Sequence, residues 1–522
     1  MIVSDSHPPL PASSDRIFGG IDMLKLLGSP RRACDGITRR ESLQFTAAGL
    51  LGGLGLPQIL QADESRRRNR PGRAKSVILL YLLGGAATQD MIDLKPTGPS
   101  DIRGEFRPIS TSVPGIQVCE HLPRTSKWMH KMALVRSLNH RAGCHNTLPS
   151  YTGLEQMVPD NTITRDTFPP SMGSVCEFLR TQDGRAASVS GQVYPSPSGR
   201  GAGVRESELP DYVYMPCYLG WGQAIRRAGP YGGFLGKRFD ALTTEVSPYK
   251  TPGVTAGPGN PATVLGQPRL PDSTLAPELT IDRLNHRRTL MQQIEDQMRR
   301  TDTQISIDSF NRTQRRAFNL LTSTEIRNAF DLDHEDPRLR DRYGRTLFGN
   351  CSMIARRLVE RGVRFVNVTW DLFWDRVPIN YDAWDTHTRN FTILKDVNLP
   401  EFDKTYSALL EDLQTRGLLD ETLVVVMSEM GRTPRINGNA GRDHWTYCYG
   451  MWFAGAGIRG GTVVGESDGQ AAYVKDRPVS PADVCATIYE CLGIDPDMTV
   501  QERGGRPIPV AHGGRAIHEI LG

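Results

Sequence analysis

The chain is 522 residues long, 38% hydrophobic and 23% charged, a composition that supports a large buried core and excludes a disordered polypeptide. Its 62 basic and 58 acidic residues leave a net charge of +4, which gives no long-range field suited to a nucleic-acid backbone, so no nucleic-acid partner is expected. Nine cysteines without a CxxC pair form neither a metal ribbon nor a dense disulfide scaffold, although one or two disulfides are compatible with the count.

In chain order, the first signal is Thr38-Arg39-Arg40-Glu41-Ser42-Leu43-Gln44, followed by an apolar run from Phe45 to Leu60 and a small residue, Ala62. This is the layout of a twin-arginine export signal over residues 1–62. The run carries four glycines and falls short of the about 20 apolar residues that span a bilayer, so no integral span is expected after cleavage. Residues 63–74 read as a basic, solvated linker, and residues 75–522 as the mature α/β domain. Ser76 to Leu83 is an uninterrupted apolar run ending at Gly84-Gly85, the pattern of a parallel strand buried on both faces.

Similar strand runs recur at residues 133–136, 364–369, 422–427 and 450–454, with helical patterns at 347–361, 402–415 and 481–492. Alternating strands and helices predict a largely parallel central sheet with helices on both faces. Between them, residues 185–276 are rich in Gly, Pro and Ser and read as loops, followed by charged helical stretches at 279–301 and 311–330. Together these make a long insertion over about residues 185–345.

Ligands of a parallel sheet collect beyond the carboxyl ends of its strands, and there the sequence offers acids and histidines. Asp90 and Asp93 follow the first strand, and Asp371, Asp382, Asp385 and His387 follow the strand ending near Thr369. Glu429, Asp443 and His444 follow the run 422–427. Carboxylates mixed with imidazoles select a divalent ion such as zinc or manganese, whereas calcium seldom needs histidine. Arg432 and Arg442 lie beside these residues. A guanidinium there either meets two oxygens of a transferring phosphoryl or sulfuryl group or pairs with a ligand carboxylate.

The stretches Gly84 to Pro96, Ile102-Arg103-Gly104-Glu105-Phe106, His121-Leu122-Pro123, Trp384-Asp385-Thr386-His387, Ser428-Glu429-Met430-Gly431-Arg432-Thr433-Pro434 and Gly441-Arg442-Asp443-His444-Trp445 together resemble the bacterial domain-of-unknown-function 1501 family, from about residue 75 onward. That family is placed near the alkaline phosphatases and sulfatases. The resemblance therefore implies an alkaline phosphatase/sulfatase-like α/β sandwich holding one or two ions. By the same resemblance Asp90, with Asp93 as its competitor, is the early acid, Asp385 and His387 are the middle pair, and His444 is the last ligand. Ser428-Glu429-Met430-Gly431 stands where that superfamily has Ser-Asp-His-Gly, so Glu429 keeps a carboxylate while Met430 lacks the imidazole.

For the nucleophile, the resemblance points to the segment from His140 to Gly153. Thr147 and Cys144 compete there, Thr88 competes by its proximity to Asp90, and the alternative makes His145 a metal ligand, leaving a metal-bound hydroxide as nucleophile. No cysteine has the Cys-x-Pro-x-Arg or Cys-x-Ala-x-Arg context, which argues against formylglycine chemistry. The expectation is an exported, metal-dependent hydrolase of phosphate or sulfate esters, acting in the periplasm or outside the cell on an anionic ester such as a sulfated or phosphorylated glycan or small molecule. Two alternatives stand beside it: a non-catalytic metal- or ligand-binding member of the same fold, and a lyase or isomerase acting on a phosphorylated metabolite. The export reading predicts that replacing both Arg39 and Arg40 by Lys strands the precursor in the cytoplasm, because the translocase reads the pair as an address. Fractionation and immunoblotting check this, and unchanged delivery would refute it.

Overall fold

The computed structural model describes residues 72–157, 167–190, 210–217, 220–221, 225–226, 229–250, 263–271, 324–371, 373, 377 and 383–522. The segment read as an export signal, most of the expected linker and the expected helical stretch at 279–301 lie outside these residues. So do most of the stretch at 311–330 and Asp382.

The main chain is organised around an eight-stranded sheet. Its strands are β1 (Ser76–Leu82), β2 (Met132–Leu138), β3 (Tyr212–Met215), β4 (Leu242–Thr243) and β5 (Phe365–Trp370), then β6 (Thr422–Met427), β9 (Tyr449–Ala454) and β10 (Thr462–Val464). Between β6 and β9, β7 (Gly431–Arg432) and β8 (His444–Trp445) form a separate antiparallel ribbon. Across the sheet the order is β10-β2-β9-β6-β1-β5-β3-β4. β1 pairs in parallel with both β5 and β6, β3 continues in parallel from β5, and β4 from β3. β9 is antiparallel to β6 and to β2, so among the described strands of this sheet it is the one that runs against the rest.

Burial on both faces explains why β1 is apolar from Val77 to Leu82. In β1, Ile78, Leu80 and Leu82 enter one core while Val77, Leu79 and Tyr81 enter the other, all at most 1% exposed. The first core is roofed by α3 (Leu347–Glu360) and α4 (Leu399–Thr415) through Leu347, Ile354, Leu358, Phe402, Tyr406 and Leu409. The second is roofed by α2 (Met172–Ser190) and α5 (Pro481–Cys491) through Met172, Val175, Val484, Cys485 and Ile488. The Thr346 hydroxyl caps α3 by accepting from Gly349 N–H, and Ser480 and Asp483 form a reciprocal capping box at α5, with Pro481 opening the helix.

The molecule is therefore the mixed α/β architecture expected, with a largely parallel sheet covered on both sides. Two of its strands come from an unexpected place. β3 and β4 lie in the Gly/Pro-rich segment read as loops, yet they extend the parallel sheet at one edge. Among the described residues no disulfide links the cysteines, and no helix is long and apolar enough to cross a membrane. Because Leu80 sits in the middle of the sheet with no exposed surface, Leu80→Ala is expected to cost about 2–5 kcal/mol. Urea unfolding should show that loss as a lower midpoint with an unchanged slope.

Candidate metal centre

The centre is assembled where β1, β5 and β6 end side by side. β1 runs into Gly84 (φ +112) and Gly85 (φ +84), and a Cβ on Gly84 would lie 2.6 Å from the Asp385 backbone nitrogen. That contact requires glycine, and it lets the loop after β5 press directly onto the end of β1, where Trp384 N–H donates to the Leu83 carbonyl (3.2 Å). Asp385 is the next residue. From β6, Ser428 Oγ donates to the Leu82 carbonyl (2.6 Å) and accepts from Gly85 N–H (3.1 Å), which fixes the position of Glu429. The ribbon pairs Arg432 with His444 and delivers that imidazole to the same point.

Four side chains converge. His145 Nε2 lies 2.8 Å from His444 Nε2, and His387 Nε2 lies 2.8 Å from the same atom. Asp385 Oδ1 is 3.1 Å from His387 Nε2 and 3.3 Å from His444 Nε2, and its Oδ2 is 3.3 Å from His145 Nε2. Donors around one tetrahedral ion with bonds of 2.0–2.1 Å stand about 3.3 Å apart, close to the separations among His145, Asp385 and His444, while His387 adjoins them through His444 and Asp385. His145, Asp385 and His444 form the one group of such donors with metal-ligand spacing among the described residues. His145 and His444 are 299 positions apart in sequence.

Two carboxylates orient the imidazoles from behind. His145 Nδ1 donates to Glu429 Oε1 (3.1 Å), and His387 Nδ1 donates to Asp443 Oδ1 (2.8 Å). A carboxylate only accepts, so in both rings the proton sits on Nδ1 and, in the neutral ring, the Nε2 lone pair faces the shared point. Imidazole nitrogens and a carboxylate gathered at one place form a site that can hold a cation. The donor set, mostly nitrogen with one carboxylate, suits zinc or a similar divalent ion.

Electrostatics favour the charged acids. Burial pushes the Asp385 carboxyl up, but the His145 and His444 rings set against it and the Arg432 charge outweigh this and hold it well below the carboxylate range. Burial likewise opposes ionisation of fully buried Glu429, and the hydrogen bond from His145 together with backbone N–H donors brings it below its ordinary value. His145 is pushed down by burial and up by Asp385 and Glu429, with a net rise, whereas burial leaves His444 lowered. His145 itself has φ +52, a conformation a non-glycine residue adopts only at some cost, here held by its side-chain contacts.

The remaining residues singled out in the sequence fall elsewhere. Asp90 does not join the cluster: Arg442 grips it through Nη2 (2.7 Å) and Nε (2.8 Å), and Asn390 Nδ2 donates to it (2.9 Å). Asp93 pairs with Lys95 (3.0 Å) and with Ser467. Glu429 stands behind His145 instead of beside Asp385. Thr88 Oγ1 accepts from Gly450 N–H (2.7 Å), Thr147 is buried at the head of α1 (Leu148–Thr152), and Cys144 is exposed next to His145. Arg432 and Arg442 are both 0% exposed and directed at carboxylates and carbonyls, so neither is presented to a substrate. Asp443 was named in a sequence motif without a role; its place next to His444 was the available signal.

The family described as "Protein of unknown function (DUF1501)" matches residues 74–521. Comparison with curated proteins returns no match. Among solved structures, Ps i-CgsB in complex with k-i-k-neocarrahexaose is 11% identical, with 85% of this chain and 75% of that one covered and a TM-score of 0.34. The phosphonate monoester hydrolase of Agrobacterium radiobacter is 12% identical, with 86% and 78% covered and a TM-score of 0.33. The phosphonate monoester hydrolase SpPMH from Silicibacter pomeroyi is 12% identical, with 85% and 76% covered and a TM-score of 0.30.

The two classes of acid separate in experiment. Asp90→Ala leaves Arg442 buried and unpaired, so it should cost about 3–5 kcal/mol of stability. Glu429→Gln should weaken metal affinity about 10–100-fold, because it acts through the orientation of His145. Denaturation and metal titration of both variants check the assignment; a large affinity loss in a folded Asp90→Asn would contradict it.

Proposed function

The chain belongs to the DUF1501 family, whose description assigns no activity, so the reading starts from the site, and we propose that the protein is a metal-dependent hydrolase of phosphate or sulfate esters. The observation that carries this is the convergence of His145, Asp385 and His444 at metal-ligand spacing, with His387 adjoining His444 and Asp385, and with Glu429 and Asp443 fixing two of the imidazoles. When bound, a zinc- or manganese-class ion supplies Lewis acidity toward an ester oxygen and lowers the pKa of coordinated water. The protein's part is to hold the ligands. His145 and Asp385 are nearly enclosed, with side chains 10% and 6% exposed, whereas His387 and His444 are 40% and 26% exposed, so a substrate would approach on their side.

We place the substrate among anionic esters, such as sulfated or phosphorylated glycans or small molecules, and the site of action in the periplasm or outside the cell, on the strength of the Thr38 to Gln44 signal. A second reading, a binding protein with an ion but no turnover, is favoured by the burial of Arg432 and Arg442, which leaves neither guanidinium to offset charge on a transferring group.

Elemental analysis of the wild type, His387→Ala and His444→Ala should show metal in the first and a loss in both variants with the fold retained. Adding the ion should raise the wild-type Tm more than that of either variant. A panel of p-nitrophenyl phosphate, sulfate and phosphonate esters then separates the two readings. Turnover abolished in both variants supports the hydrolase, whereas a metal-loaded wild type that turns over none of them supports the binding protein.

A further inference from the structure

Resting on that metal centre, we infer that it holds a single ion and that the guanidinium of Arg432 takes the place of a second cation beside it. Arg432 is 0% exposed and lies within a shell of four oxygens. Its Nε donates to the Gly85 carbonyl (2.7 Å), its Nη1 to the Arg442 carbonyl (3.2 Å), and its Nη2 to the Gly84 carbonyl and to Asp385 Oδ1. Three carbonyls and a carboxylate are the donor set of a hard cation. Here a guanidinium fills it.

The shell adjoins the centre through one atom. Asp385 Oδ1 contacts the guanidinium on one side and lies 3.1 Å from His387 Nε2 and 3.3 Å from His444 Nε2 on the other. A second divalent ion sharing that carboxylate would have to occupy the volume of the guanidinium. Nor can the acids after β1 supply another place, since Asp90 is taken by Arg442 and Asp93 by Lys95. Arg432 thus acts as a positioning residue: it fixes one oxygen of Asp385, ties that loop to the glycines at the end of β1, and places a cationic group beside the centre.

Removing the charge should therefore open a cation site made of oxygens. The purified full chain, stripped with a chelator, is titrated with Mn²⁺, which accepts both nitrogen and oxygen ligands, and the ions retained after gel filtration are counted. Wild type is expected to keep one ion per chain at tenfold excess. R432M is expected to take up a second, weaker ion, and R432K, which keeps the charge, to stop at one. Two ions on wild type would overturn the inference while leaving the metal centre intact, and no ion would remove both. A folded R432M that stops at one ion would overturn the role given to Arg432. Where R432M does not fold, the wild-type count and R432K still decide, because two ions on either contradict the proposal.

Discussion

The close approach of three strand ends at Gly84 is the constraint on which the site depends. Because the position has no side chain, the backbone of the Asp385 loop lies against the end of β1, and Gly84 N–H reaches Glu429 Oε1 at 2.8 Å. The same turn turns two carbonyls toward Arg432. A methyl group there would push the middle ligand pair, the buried acid and the buried guanidinium apart together. The parallel pairing of β1 with β5 and β6 brings these loops to one edge, so the architecture of the sheet and the chemistry at its rim have a common origin.

Charge is distributed with unusual economy around that rim. Two arginines and three acids are almost fully removed from water, an arrangement that costs several kcal/mol per unpaired ion and is tolerated only when each charge meets a partner. Here the partners are explicit: Arg442 with Asp90, Arg432 with Asp385, and Glu429 with His145 and Gly84 N–H. The imidazole nitrogens of His145, His387 and His444 gather around Asp385, which makes that point suited to a cation.

Much of the scaffold was readable from sequence because its physics is local. β1 and β6 are uninterrupted apolar runs, the mark of strands covered on both faces, and α5 announces itself through Ser480, Pro481 and Asp483. The direction of β9 was not readable, since an apolar hexamer looks the same whichever way it runs. β3 and β4 were hidden by shortness and by surrounding glycine and proline. At the site, the proximity of Asp385 to His387 and of Asp443 to His444 made the neighbourhood visible. Asp90 and Asp385 are indistinguishable as letters, however, and only the fold shows that both meet a guanidinium while Asp385 alone also meets three imidazoles. Arg432 and Arg442 were ambiguous for the same reason: their burial is a property of the assembled rim.

The distance along the chain between the gathered residues has its own consequence. His145 and His444 are 299 positions apart, with His387 57 positions before the latter, so no short stretch of the polypeptide contains the site. An unfolded chain has nothing comparable to offer, and an ion held there acts as a removable clasp between the first and last thirds of the domain. Its departure would free the His145 loop and the β7–β8 ribbon to separate at the rim while the two cores beneath the sheet stay closed, which makes the ion's exchange a local opening and not a global one.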